Sequence, residues 1–201
     1  MRFVRRAVLL AVAPVVGLAV AACGSSSQPD RPGASLPTVE VIPVDSISGA
    51  QRADVDGVGI DVPSGFDTER FVRQEGATTI LRITAKSAPD ISVLVLTVTR
   101  TDPLVTDSDV AASLYIQRQQ TLGERDVTDV VDTQVAWPGF PAAVGFDAVE
   151  SAEGKSYDLR AVMTRDDPGT RLVGIQVWSL PGELEESAGW QMARTVRVDS
   201  W

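Results

Sequence analysis

Whatever chemistry this chain performs must be done with few residue types. None of its 201 residues is a histidine, and the one cysteine is Cys23. Nucleophile systems of the Ser-His-Asp or Cys-His kind are therefore excluded, as is any zinc site that uses imidazole. Disulfides, thiolate clusters and dithiol redox chemistry within one chain are excluded as well. Carboxylates are plentiful but poorly arranged for work. Asp54-Val-Asp-Gly-Val-Gly59 opens like a calcium loop, yet its twelfth position is Gly65 where a bidentate Glu is required, so it reads as a polar turn. Asp166 and Asp167 share the turn Arg165-Asp-Asp-Pro-Gly169. Paired acids do acid–base work only when a cleft holds them together, and adjacent turn acids are ordinarily solvated. Asp126, Asp129 and Asp132 recur at three-residue spacing and read as surface. No phosphate-cradling glycine loop, nucleophile elbow or metal-ligand spacing occurs, so neither cofactor nor metal is expected. Trp137 and Phe140 flank the rigid turn Trp137-Pro-Gly-Phe-Pro141. They are either a candidate binding surface or a plug between sheet and helix.

Cys23 has its own explanation. The chain opens with Arg2, Arg5 and Arg6 and no acid, followed by the uncharged run 7–22, AVLLAVAPVVGLAVAA. A basic start, an apolar stretch and small residues before a cleavage point make up a secretory signal peptide. A permanent span needs about 20 apolar residues, more than this run supplies. Val20-Ala-Ala-Cys23-Gly resembles a bacterial lipobox. The resemblance implies diacylglyceryl transfer to the Cys23 sulfur, cleavage after Ala22 and acylation of the new amino terminus. Two or more acyl chains make a stable anchor, each buried methylene contributing about 0.8 kcal/mol. The expected location is the extracytoplasmic face of the cell membrane.

Loss of residues 1–22 removes three arginines and no acids, so the formal charge moves from −9 to −12. Such a surface repels nucleic acid and anionic headgroups at long range. Nucleic acid is excluded as a partner, and membrane contact is expected through the lipid on Cys23.

Positioning elements follow from the pattern of the rest. Residues 23–50 are rich in Ser, Pro and Gly and read as a flexible tether; 39–44 (VEVIPV) could instead pack on the domain edge. Residues 51–201 are one domain's worth of chain. Val58–Val62 alternates and reads as a first strand, and 79–85 with 91–99 as a hairpin. Val110, Ala111, Leu114, Tyr115, Arg118 and Leu122 recur at helical spacing, with Thr106 and Asp109 as a capping box and Gly123 as a stop. Strands follow at 142–150, 156–165 and 170–179, then a closing helix from Pro181 to Arg194 with acids in its first turn. Trp178, Trp190 and Trp201 read as core or edge packing. The expected fold is α+β: an antiparallel sheet of about six strands covered by two main helices.

This element order, with Val62-Pro-Ser-Gly-Phe66 after the first strand and Pro138-Gly-Phe-Pro-Ala-Ala143 before the strand trio, resembles the PsbP-like fold of actinobacterial lipoproteins. The fold hosts many roles, so the resemblance implies architecture and location rather than an activity. The functional expectation is a non-enzymatic envelope lipoprotein that binds a protein or an apolar, lipid-like ligand. The alternative is a cell-wall carbohydrate-active enzyme working through two carboxylates held in a cleft.

Overall fold

A computed structural model describes residues 35–73 and 78–199. Residues 1–22, read above as a signal peptide, lie outside these residues, as do Cys23 and Trp201. The fold is α+β and dominated by sheet. Its strands are β1 (Thr38–Glu40), β2 (Gln51–Val55), β3 (Val58–Val62), β4 (Phe66–Val72), β5 (Thr78–Ala85) and β6 (Ala88–Arg100), then β7 (Asp126–Ala136), β8 (Val144–Ala152), β9 (Lys155–Arg165), β10 (Arg171–Ser179) and β11 (Arg197–Val198). Among the described residues two α-helices are present, α1 (Asp107–Glu124) and α2 (Ala188–Ala193).

Eight strands form the main sheet in the order β1-β7-β8-β9-β10-β6-β5-β4, and β11-β3-β2 form a second, smaller sheet. Only β1 is parallel to its neighbour; the remaining pairs are antiparallel. The expected sheet of about six strands is thus corrected to eight plus three. The two expected helices are both present, but the closing one is shorter than the segment from Pro181 to Arg194, because that segment breaks up. Residues Leu184–Glu186 form a single 3-10 turn, and Ser187 then caps α2 by accepting from the Trp190 amide at 3.1 Å. A serine with extended backbone in mid-segment ends one turn and starts the next. Within α2, Gly189 lets the helix lie on the main sheet: a β-carbon there would sit 2.6 Å from the Val93 carbonyl oxygen.

Helix α1 starts as expected. Thr106 accepts from the Asp109 amide, while the Asp109 carboxylate accepts from the Thr106 hydroxyl and amide, and those two bonds hold its carboxyl below its usual range. It runs through Gly123 to Glu124. Asp126, Asp129 and Asp132 are exposed, as expected of surface acids, and they stand on strand β7. It carries an irregularity at Asp129, whose φ of 51° is left-handed, and Asp132 pairs with Arg118 at 3.4 Å. The tether reading is corrected for its last part: β1 pairs with β7, and Val41 is buried in the core.

Each broad face of the main sheet packs differently. On one face, the small sheet, α2 and the 137–140 turn enclose Leu81, Ile83, Leu94, Leu96, Val98, Val173, Ile175 and Val177. Trp137 and Phe140 belong to this core, 4% and 7% exposed, and stack edge-to-face at 5.4 Å. Their reading as a binding surface is therefore corrected to the plug: the rigid turn folds both rings inward, where Trp137 also meets Trp190. Ion pairs lock this layer. Arg160 is buried, forks onto Asp147 at 2.8 and 2.9 Å, reaches Glu185 at 2.6 Å and lies 4.7 Å over the Trp190 ring. Burial works against its charge, but the bonds from Asp147 and Glu185 prevail and raise its pKa. Arg52 spans Asp61 and Asp199 and ties β2, β3 and the chain end together.

Asp166 is no solvated turn acid. Its side chain is fully buried and accepts from the Thr170 hydroxyl at 2.6 Å, the Arg171 amide at 2.9 Å and the Arg171 guanidinium at 2.8 Å. Burial opposes the charge, yet these bonds together hold its carboxyl below the usual range. A depressed carboxylate stabilises the fold above its unfolded value of about 3.9 and loses that contribution as pH falls through the lower folded value. Asp166→Asn is expected to lose about 3–5 kcal/mol at pH 7. In urea denaturation series its deficit against the parent should narrow below about pH 4.

Candidate functional site

The opposite face of the main sheet carries α1, and α1 covers only part of it. Rows of directly paired residues show where cover ends. One row runs Val144–Met163–Gly174–Thr97–Ile80–Phe71 across β8, β9, β10, β6, β5 and β4. The next runs Phe146–Ala161–Gln176–Val95–Arg82–Glu69, and a third Arg165–Leu172–Thr99–Thr78. The members on β8 and β9 in the first two rows are apolar. Phe146, Ala148, Leu159, Ala161 and Met163 pack with Val110 and Leu114 of α1. From β10 outward the rows mix polar residues (Gln176, Thr97, Thr99, Arg82) with apolar ones (Leu172, Val95, Ile80), and the sheet is open.

The result is a trough of about 360 Å³. Its floor includes Thr97, Thr99, Gly174 and Gln176, and its wall is the flank of α1 that presents Ser113, Ile116, Gln117 and Gln120. Gly174 deepens the floor, and the Thr78 and Thr99 hydroxyls are bonded at 2.9 Å. The Gln117 Oε1 atom is buried and has no hydrogen-bond partner among the described residues. Next to the trough, and sharing Val95 and Arg125 with it, lies a second hollow of about 280 Å³ bounded by Ile91, Tyr157 and Trp178.

Between the two sits a fixed charged corner. Arg125 donates to both oxygens of Glu150 at 3.1 and 2.9 Å, and the Trp178 indole donates to Glu150 Oε2 at 2.7 Å. The Arg125 guanidinium also lies 5.2 Å from the Trp178 ring centre. These bonds commit Glu150 to holding the corner together. The arrangement can bind and orient a ligand through hydroxyls, amides and the guanidiniums of Arg73 and Arg125.

Sequence reasoning singles out none of these residues. The available signal is the alternation in β6, where Leu94, Leu96 and Val98 mark the buried face and Val95, Thr97 and Thr99 the other. The calcium-like stretch is the β2–β3 turn, with Asp56 and Gly57 left-handed at φ 53° and 83°. There Asp56 meets arginines, as expected of a structural turn. Among the described residues no group of three or more acids, Cys or His is placed to hold a metal ion. No described helix is long and apolar enough to cross a membrane.

No family model matches the chain, and no curated protein does. Among solved structures it is similar to a Pseudomonas aeruginosa protein of unknown function, at 17% identity over 74% of this chain and 95% of that one, TM-score 0.37. A Bacteroides thetaiotaomicron protein matches at 12% identity, over 76% of this chain and 49% of its own, TM-score 0.39. The cyanobacterial PsbP of Synechocystis matches at 12% identity, over 76% of this chain and 94% of that one, TM-score 0.46. These are distant likenesses of shape, and no function is carried across from them.

The unpartnered Gln117 acceptor costs stability, since a buried polar group left unbonded forfeits about 1–3 kcal/mol. Gln117→Met is expected to raise the free protein's stability by about 1 kcal/mol in chemical denaturation.

Proposed function

We propose that the chain is a lipid-anchored protein of the extracytoplasmic membrane face, with a PsbP-like domain that works as a binding module and not as an enzyme. The anchor rests on Cys23 and its flanking residues. The PsbP-like assignment rests on the order of elements read from the sequence. The binding reading is carried by one observation: a trough walled by α1 and floored by the uncovered half of the main sheet.

The lining decides what fits. A wholly apolar ligand would strip water from Thr97, Thr99, Gln117 and Gln176 without replacing their hydrogen bonds, at about 1–3 kcal/mol for each buried group. A protein segment or an amphipathic small ligand with hydrogen-bonding groups along its length avoids that cost. Floor strands β10, β6 and β5 are each paired on both sides, so their backbones are committed to the ladders. Recognition therefore falls to side chains. The carboxylate-enzyme alternative gains nothing from Glu150, which Arg125 and Trp178 hold as a structural group.

Two outcomes check this reading. Cys23→Ala is expected to abolish incorporation of a labelled fatty acid and to move the protein from the membrane fraction to the soluble one. A photoreactive residue at Gln120, on the trough wall, is expected to give a saturable adduct in cells that Thr97→Trp abolishes by filling the floor. Unchanged adducts in the filled variant would contradict the trough as the site.

A further inference from the structure

On this strongly acidic chain one corner carries crowded positive charge. Arg171 at the start of β10 pairs directly across the ladder with Arg100 at the end of β6. Like charges placed directly opposite one another in a sheet are destabilising. A third arginine, Arg70 of β4, arrives from two strands away, and all three converge on Asp56 in the β2–β3 turn. Arg70 and Arg100 each reach Asp56 Oδ1 at 3.4 Å, while Arg171 donates to the Asp56 carbonyl at 2.8 Å and to Asp166 at 2.8 Å. The Asp56 carboxylate also accepts from the Thr79 hydroxyl.

Among the described residues, Arg70 and Arg100 share the one carboxylate of Asp56, while Asp166 is committed to Arg171 and Thr170. One oxygen of Asp56 serves both Arg70 and Arg100, at distances well beyond the 2.8–2.9 Å fork of Arg160 on Asp147. Both arginines are about half exposed, with side chains 49% and 57% accessible. Each spends one N–H on Asp56, and the other donors of these half-exposed side chains have no partner among the described residues. A hollow of about 330 Å³ lies against Arg100, lined also by Thr101, Thr170 and Arg171. Both threonine hydroxyls are already donating, to Gly169 and Asp166, so the Arg100 guanidinium supplies the donors there. Asp102 is the neighbouring acid in sequence, and the chain's net charge is negative, so the corner is a local exception.

We propose that Arg70 and Arg100, backed by Arg171, bind a phosphate-type oxyanion. Guanidinium forks match the oxygens of phosphate, and a bound dianion would relieve the opposed pair Arg100–Arg171. Free phosphate and the phosphate of a lipid headgroup share this chemistry. The site is separate from the trough and stands without it.

Full, processed protein in a neutral detergent would be titrated at low salt with inorganic phosphate and with dioctanoyl phosphatidylglycerol, using calorimetry. Saturable binding of either anion, weakened at least tenfold by Arg70→Gln and by Arg100→Gln, is the expected result. Arg100→Lys should fall between, because it keeps the charge and loses the fork. Binding of phosphate identifies a free anion as the ligand, and binding of the phospholipid alone identifies a headgroup. Absence of both, or equal binding by the parent and the two Gln variants, overturns the proposal. Both arginines are exposed, and unchanged thermal unfolding verifies that the variants fold.

Discussion

A single 18-residue helix cannot roof an eight-stranded sheet, and the rest of the molecule is arranged around that mismatch. At about 1.5 Å per residue α1 is about 27 Å long, and its body is about 10 Å across. Strands lie about 4.8 Å apart, so one helix shields roughly two or three of them. It sits over β7, β8 and β9, where the sheet face is apolar. Among the described residues no second helix fills the remaining width. The residues change instead, from Phe146, Ala161 and Met163 under α1 to Gln176, Thr97 and Thr99 beyond it. An open sheet face lined in this way tolerates water and still offers ligand contacts. The trough is a direct consequence of that choice.

Such an economy works only if the other face is secured. The small sheet, α2 and the Trp137–Phe140 turn bury that face, and Arg160 holds it at its centre. A buried guanidinium is costly by itself, and this one is matched by two carboxylates and the face of Trp190. Arg52 and Asp166 repeat the device at two other places. The strands β5, β6 and β10 are therefore anchored from below, which leaves their upper face available for binding. The charge crowding at Arg70, Arg100 and Arg171 arises in the same framework, where β4, β6 and β10 end near the β2–β3 turn.

Much of this was legible in the amino-acid order. The hairpin of β5 and β6, the trio β8–β10 with their turns, and the Thr106 cap of α1 follow from alternation, turn chemistry and capping residues, all of which act locally. What stayed hidden depends on distant contacts. Strand β7 has too many acids to look like a strand, and it becomes one through pairing with β8 and β1. Strand β1 is three residues long and gains order from that same pairing. Trp137 and Phe140 carry equal signals for a patch and for a plug, and tertiary packing decides in favour of the plug. The trough residues were unreadable because a threonine facing solvent and one facing a groove look alike in a single sequence. The uncovered half of the sheet becomes apparent only once strand order is known.

The claim that the uncovered half of the sheet is the ligand site is tested most directly by native mass spectrometry of the full protein extracted mildly from its own membranes. The parent should carry a reproducible bound mass beyond its acyl groups. Thr97→Trp, with its thermal unfolding unchanged, should lose that mass. An adduct of the same mass and occupancy in both proteins, or none in the parent, would contradict the account.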